Sequence, residues 1–206
     1  MLKLVHQRAF SAELPRKRKK NIELRSREYL SEQEIERLIK AAKSTGRHKN
    51  RDATLILMMY HHALRVSEAV ALKWEQLDFD KGFFHVERLK GGVPSKHYLS
   101  VFAMRKLRRI RKDYPESRYV FCSERKQPLA TRTARDIVAR AGRLAEFPFS
   151  IHPHMLRHST GFCLADDGED IRGIQAYMGH SSISNTVRYT HLSTKRFKDY
   201  RFAKKN

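Results

Sequence analysis

The chain has 206 residues, enough for one core of ordinary size with short arms, and 40% of them are hydrophobic. Lysine and arginine total 43 against 22 acidic residues, a formal charge of +21, which disfavours cationic partners and points to a polyanion such as DNA, RNA or an anionic membrane face. No apolar run approaches the roughly 18 residues of a membrane span, and "MLKLVHQRAF" lacks a signal-peptide core, so a cytoplasmic protein is expected.

Residues 1–28 read as a basic arm. Five consecutive basic residues follow Pro15 in "PRKRKKN", a block that serves equally as a solvated tail or as a DNA contact. Order begins at "YLSEQEIERLIKAAK". There Ser31 and Glu34 have capping-box spacing, and Ile35, Leu38, Ile39 and Ala42 form one apolar helix face. "GRHKN" breaks this helix, and "ATLILMMYHHAL" gives a more apolar, central one. A turn near Arg65 leads into a short helix through "SEAVALKW". "LDFDKGFF" bends at Asp80 and Gly82 into a strand.

A hairpin follows, with "FFHVERL" and "HYLSV" as strands and "KGGVPSK" between them. "AMRKLRRIRKDY" is a helix that buries Met104, Leu107 and Ile110, and its basic face reads as solvated rather than as a DNA contact. "YVF" suits a short strand, and "TRTARDIVARAGRLA" a helix. "PHMLRHSTGFCLADDG" is a helix ending at Gly168, and Asp170 can cap "IRGIQAYMG". A small helical turn in "SISNTVRYTHLS" precedes a basic tail, residues 193–206. The two cysteines, Cys122 and Cys163, are expected to be reduced thiols in the core. The fold class expected is mainly α with a small antiparallel β-sheet.

"HPHMLRHS", residues 152–159, packs three histidines and an arginine into eight positions. On a helix His154 and His158 share a face, a spacing that can hold zinc. Arg157 lies on the same surface and would repel a dication, and no acidic or thiol ligand stands nearby, so no metal is expected. His154 and Arg157 near a helix N-terminus suit a phosphate oxygen instead, with His158 turned into the packing.

Further fragments extend this one in order: "ALRVSEAVALKW" with Arg65, "RLKGG" with Lys90, "HPHMLRHS" with His154 and Arg157, "YMGHSS" with His180, and "NTVRYTHLS" with Tyr189. The ordered set resembles the catalytic domain of the tyrosine recombinase (phage integrase) family, from about residue 29 onward. Its short form is similar to the fimbrial phase-variation invertases. The resemblance implies a tyrosine recombinase catalytic-domain fold over residues 29–192, with no separate N-terminal core-binding domain. It implies two arginines, Arg65 and Arg157, on the non-bridging oxygens of one DNA phosphate, with His154 and His180 as further donors, one of them taking the tyrosine proton. Tyr189 is then the nucleophile that holds the 3′ DNA end as a phosphotyrosine, and Lys90 protonates the departing 5′ oxygen. Glu68 braces Arg65.

Lys96 stays open as the rival to Lys90, because "LKGGVPSKH" departs from the family's usual hairpin pattern. Ala63 stands where the family commonly has glycine before "LR", which bears on the turn there. Tyr177, His61 and His62 read as structural. The implied function is site-specific DNA recombination, with DNA inversion as one outcome, no cofactor and no metal. The implied partners are double-stranded DNA, a homo-tetramer on two DNA sites and accessory DNA-bending proteins, without membrane. The alternatives are type IB topoisomerase-like relaxation and a catalytically silent DNA-binding regulator. The C-terminal tail, with Phe197, Tyr200 and Phe202, could pack on a neighbouring subunit or on its own core.

Overall fold

A computed structural model describes residues 27–88 and 91–190. The basic arm up to residue 26, the tail from residue 191, and Lys90 lie outside the described residues. Eight α-helices and three short strands run in the order α1 Glu32–Ser44, α2 Lys49–His61, α3 Val66–Ala71, β1 Leu77–Asp78, β2 Phe83–Val86, β3 Ser95–Tyr98, α4 Val101–Asp113, α5 Thr131–Leu144, α6 Pro153–Asp166, α7 Ile171–Met178 and α8 Ser184–Thr190. The architecture is mainly helical with one antiparallel sheet, order β1-β2-β3.

Local chemistry sets the helix ends. Ser31 Oγ accepts from the Glu34 N–H and Glu34 Oε2 accepts from the Ser31 N–H, the capping box expected at α1. Asp170 caps α7 through the Gly173 N–H at 2.9 Å. Gly179 ends α7 at φ 64°, a left-handed conformation that glycine adopts without a Cβ clash. Pro153 opens α6, where its missing N–H costs no helical bond.

α2 is central, buried from Arg51 through Met59, and it packs on α1, α4 and α6. The main core joins Leu38, Ile56, Met58, Phe84, Leu107, Phe121, Val138 and Leu156. A second apolar cluster, Ala63, Phe162, Ala165, Ile174, Met178 and Tyr189, sits where α6, α7 and α8 meet.

Three sequence expectations shift. "YVF" forms no strand: Tyr119 makes one isolated bridge to Lys73, the Val120 N–H donates to Leu72 O, and Phe121 O accepts from the Leu129 N–H. Its contacts pass from the Leu72–Lys73 side to the Pro128–Leu129 side within three residues, so neither side builds a ladder. The third strand is Ser95–Tyr98 rather than "HYLSV", because Ser100 caps α4 through the Ala103 N–H and turns the chain out of the sheet. Cys122 is buried as expected, but Cys163 is half-exposed on α6, with Sγ near Glu32 and Asp167. Both thiols are free. Among the described residues no helix is long and apolar enough to cross a membrane.

Candidate active site

The site forms where the α2–α3 turn, the end of β2, α6, α7 and α8 converge. Ala63, in the turn, has φ 50°. The left-handed conformation that a glycine would adopt freely is kept with alanine, at a cost of roughly 1 kcal/mol. Arg65 follows as the N-cap of α3. Glu68, one turn on, accepts from the Arg65 backbone N–H at 2.8 Å and from Arg65 Nη1 at 2.7 Å. The Glu68 side chain is 1% exposed and that of Arg65 30%, so the carboxylate anchors a guanidinium that still reaches solvent.

Arg157 rises from the second turn of α6 and is 2% exposed. Its Nη1 donates to Ala63 O and its Nη2 to Met178 O at 2.6 Å. It therefore ties the turn before Arg65 to the C-terminal end of α7, where the helix dipole favours a cation. Burial, then the charges of Arg65 and Arg88, lower its pKa to about 10, which leaves it charged at neutral pH.

His180 follows Gly179 directly. It is buried, and its Nδ1 lies 2.9 Å from Thr186 Oγ1, a link from the α7 turn to α8. Burial and the Arg157 charge lower it to about 4, so it is neutral. His154 is exposed in the first turn of α6, its ring 4.5 Å from that of His158.

Tyr189, on α8, is 1% exposed. Its ring lies against the α6 backbone at Gly161, where an added Cβ would come within 2.7 Å of it. Its hydroxyl sits 2.9 Å from His158 Nδ1. Burial raises the phenol pKa, while the charges of Arg157, Arg188 and Arg65 pull towards the phenolate. Burial and His154 lower His158 to about 3. Its ring is thus neutral and meets the phenol as a hydrogen-bond partner.

The geometry brings Arg65, Glu68, Arg157, His180 and Tyr189 together. His158 is buried as expected, and its partner is the Tyr189 phenol. Lys96 lies on the face of β3 opposite buried His97, exposed, with Nζ 3.9 Å from the centre of the Phe83 ring. That alternation points Lys96 away from the cluster. Tyr177 donates to His61 O at 2.7 Å and packs its ring on His97, a structural position. Sequence reasoning missed Arg88, which ends up inside the site. One arginine among 43 basic residues carries no signal unless its strand is known to face inward. Among the described residues no three His, Cys, Asp or Glu side chains gather where they could hold a metal ion.

The phage integrase family model matches residues 28–196. Type 1 fimbriae regulatory protein FimB of Escherichia coli (strain K12) is 40% identical over 178 residues, which covers 84% of this chain and 88% of that protein. Tyrosine recombinase XerA of Pyrococcus furiosus is 36% identical over 177 residues, 82% of this chain but 59% of XerA. The crystal structure of XerA recombinase superposes with a TM-score of 0.73 at 27% identity, over 86% of this chain and 65% of that one.

Proposed function

We infer the chemistry from one premise: the chain belongs to the phage integrase family, and it is a tyrosine-type site-specific DNA recombinase. It binds double-stranded DNA, which the charge of +21 favours. One observation carries the assignment of residues. Arg65 and Arg88 share a single carboxylate, Glu68, while Arg157 is held on backbone carbonyls close enough to feel their charges, and the three leave a surplus of positive charge beside the Tyr189 phenol. A phosphodiester is the anion that such a surplus fits.

In the reaction we propose, Arg65 and Arg157 hold the non-bridging oxygens, on which charge grows in the transition state. His180 and His154 add donors, and Glu68 keeps Arg65 in place. The Tyr189 oxygen bonds to phosphorus as the P–O5′ bond breaks. The phenol proton passes to the neutral ring of His154 or His180, and Lys90 gives a proton to the departing 5′ oxygen. The 3′-phosphotyrosine conserves the bond energy, so a second DNA hydroxyl reseals the strand by the reverse displacement. Exchange between two duplexes needs two cuts on each, hence four copies of the chain.

Inversion is the outcome that the likeness to a fimbriae regulatory protein favours, since a recombinase that regulates does so by rearranging DNA, and inversion is reversible. The test uses nicked duplex fragments from the gene's own neighbourhood. The expected product is a covalent protein–DNA species whose modified peptide contains Tyr189, absent in Tyr189→Phe. A covalent species in the Tyr189→Phe variant, or one mapped to another residue, overturns the assignment.

A further inference from the structure

Arg88 follows β2, and its side chain is 0% exposed. Its Nη1 donates to Glu68 Oε2 at 2.9 Å, the oxygen that also accepts the Arg65 backbone N–H. Its Nη2 donates to Tyr177 O at 2.5 Å, at the end of α7. Two glycines make the room. A Cβ on Gly92 would lie 2.7 Å from Arg88 Cβ, and one on Gly179 would lie 2.6 Å from its Nε. That Nε is buried with no hydrogen-bond partner. Burying a guanidinium this way is a poor route to stability, because an apolar side chain of similar volume usually does as well or better. Its bonds explain its presence better. One arm fixes the carboxylate that orients Arg65, and the other fixes the turn that carries His180.

We propose that Arg88 is a positioning residue for strand cleavage: through Glu68 and the α7 carbonyl it sets Arg65 and His180 relative to each other and to the scissile phosphate. The proposal rests on the reading of Arg65 and His180 as phosphate-holding groups. Arg88 itself touches no DNA. Its effect on rate passes through the charge that Arg65 presents to the phosphate oxygens.

That route gives a readout that a packing role would not move. The full chain and its Arg88→Met, Arg88→Lys, Arg65→Ala and Arg65→Ala/Arg88→Met variants are compared in single-turnover formation of the Tyr189 adduct. Two nicked duplexes are used, one with a normal scissile phosphate and one with a neutral methylphosphonate there. Loss of a preorganised donor slows such a step by on the order of a hundred-fold. Arg88→Met is expected to slow cleavage of the normal linkage by about that factor, with DNA affinity little changed. The defect should shrink on the neutral linkage, and the double variant should be no slower than Arg65→Ala. Arg88→Lys, which keeps the charge but reaches only one of the two acceptors, should fall between.

Parental rates in both Arg88 variants overturn the proposal, as do equal losses on the two linkages or a double variant that multiplies the single effects. Should Arg88→Met fail to fold, Arg88→Lys decides by the same comparison. If both melt below the assay temperature, Arg88 is a packing residue and the proposal is wrong. An Arg65→Ala variant that cleaves normally would instead overturn the underlying reading of the site.

Discussion

Two buried charge clusters in this chain are built on opposite principles. In the first, Asp52 on α2 accepts from Arg51 Nε at 3.0 Å and Nη2 at 2.8 Å, and its other oxygen accepts from Arg140 Nη2 at 2.8 Å. Arg51 completes its bonding on Cys122 O at 2.7 Å. The inner pair is one to one, and Arg140, 48% exposed, is screened by solvent. In the second cluster Arg65 and Arg88 both pair with Glu68, and Arg157, within reach of their charges, bonds only to backbone carbonyls among the described residues. The first is neutral inside and ties α2 to α5 and to the Cys122 strand-like segment. The second leaves charge over, which the fold tolerates because backbone carbonyls of Ala63, Tyr177 and Met178 share it. Balance marks the structural cluster, and imbalance the one that awaits an anion.

The sharpest way to break this contrast is to remove one guanidinium from each cluster. Arg157→Lys keeps a charge but loses the fork, and should slow formation of the covalent adduct by about a hundred- to a thousand-fold. Arg51→Met leaves a buried carboxylate short of a partner and should cost about 3 kcal/mol of stability, with the rate per folded molecule unchanged. Denaturant titration beside single-turnover cleavage checks both. If Arg51→Met slowed cleavage while the protein stayed folded, the division between the clusters would fail.

Acid should act next, and mainly on the second cluster. His180 and His158 have pKa values of about 4 and about 3, below the unfolded value near 6.5. The unfolded chain therefore binds more protons between those limits, so stability is full above about pH 6.5 and is lost as the pH falls towards 4 and 3. Glu68 adds to this lower down. Burial alone would raise it, but the Arg65 N–H and the Arg88 charge hold it below its ordinary value, so its contribution is lost as it protonates. Melting curves from pH 7.5 to 4 should show Tm falling by about 3 °C for each kcal/mol lost, with a shallower fall in His180→Asn. A flat profile would mean that these rings are not held neutral.

The smallest effect is expected at Ala63. Replacing it by glycine relieves a left-handed alanine, worth about 1 kcal/mol. It also removes a buried methyl, worth about 0.8 kcal/mol, and adds chain entropy to the unfolded state. The net change in Tm should be near zero, with cleavage unaltered. A gain of several degrees would show that the turn carrying Arg65 is strained.

The parts that could be read from sequence share a property. The α1 capping box, the Asp170 cap and the apolar face of Ile35, Leu38 and Ala42 depend on residues within one or two turns of each other. The set of Arg65, Glu68, Arg157, His180 and Tyr189 was legible for another reason: each fragment sits in a short motif, and their order carries the information. Arg88 was missed, Cys163 was misread and the partner of His158 could not be named, because each depends on what lies across from it. Arg88 meets Glu68 and Tyr177 from 20 and 89 positions away, and His158 meets Tyr189 from 31. No local pattern encodes such a partner. The lost "YVF" strand follows the same logic, since a strand exists only where a neighbour offers a ladder.

Arg157, His158 and Gly161 lie within little more than one turn of α6, yet one ties the α2–α3 turn to the end of α7, one meets the phenol and one seats its ring. Their mutual spacing is fixed by the pitch of one rod rather than by how two bodies dock. A substitution that shifts α6 against its neighbours therefore carries the three side chains along as one unit, and what it disturbs is their fit to Tyr189 on α8.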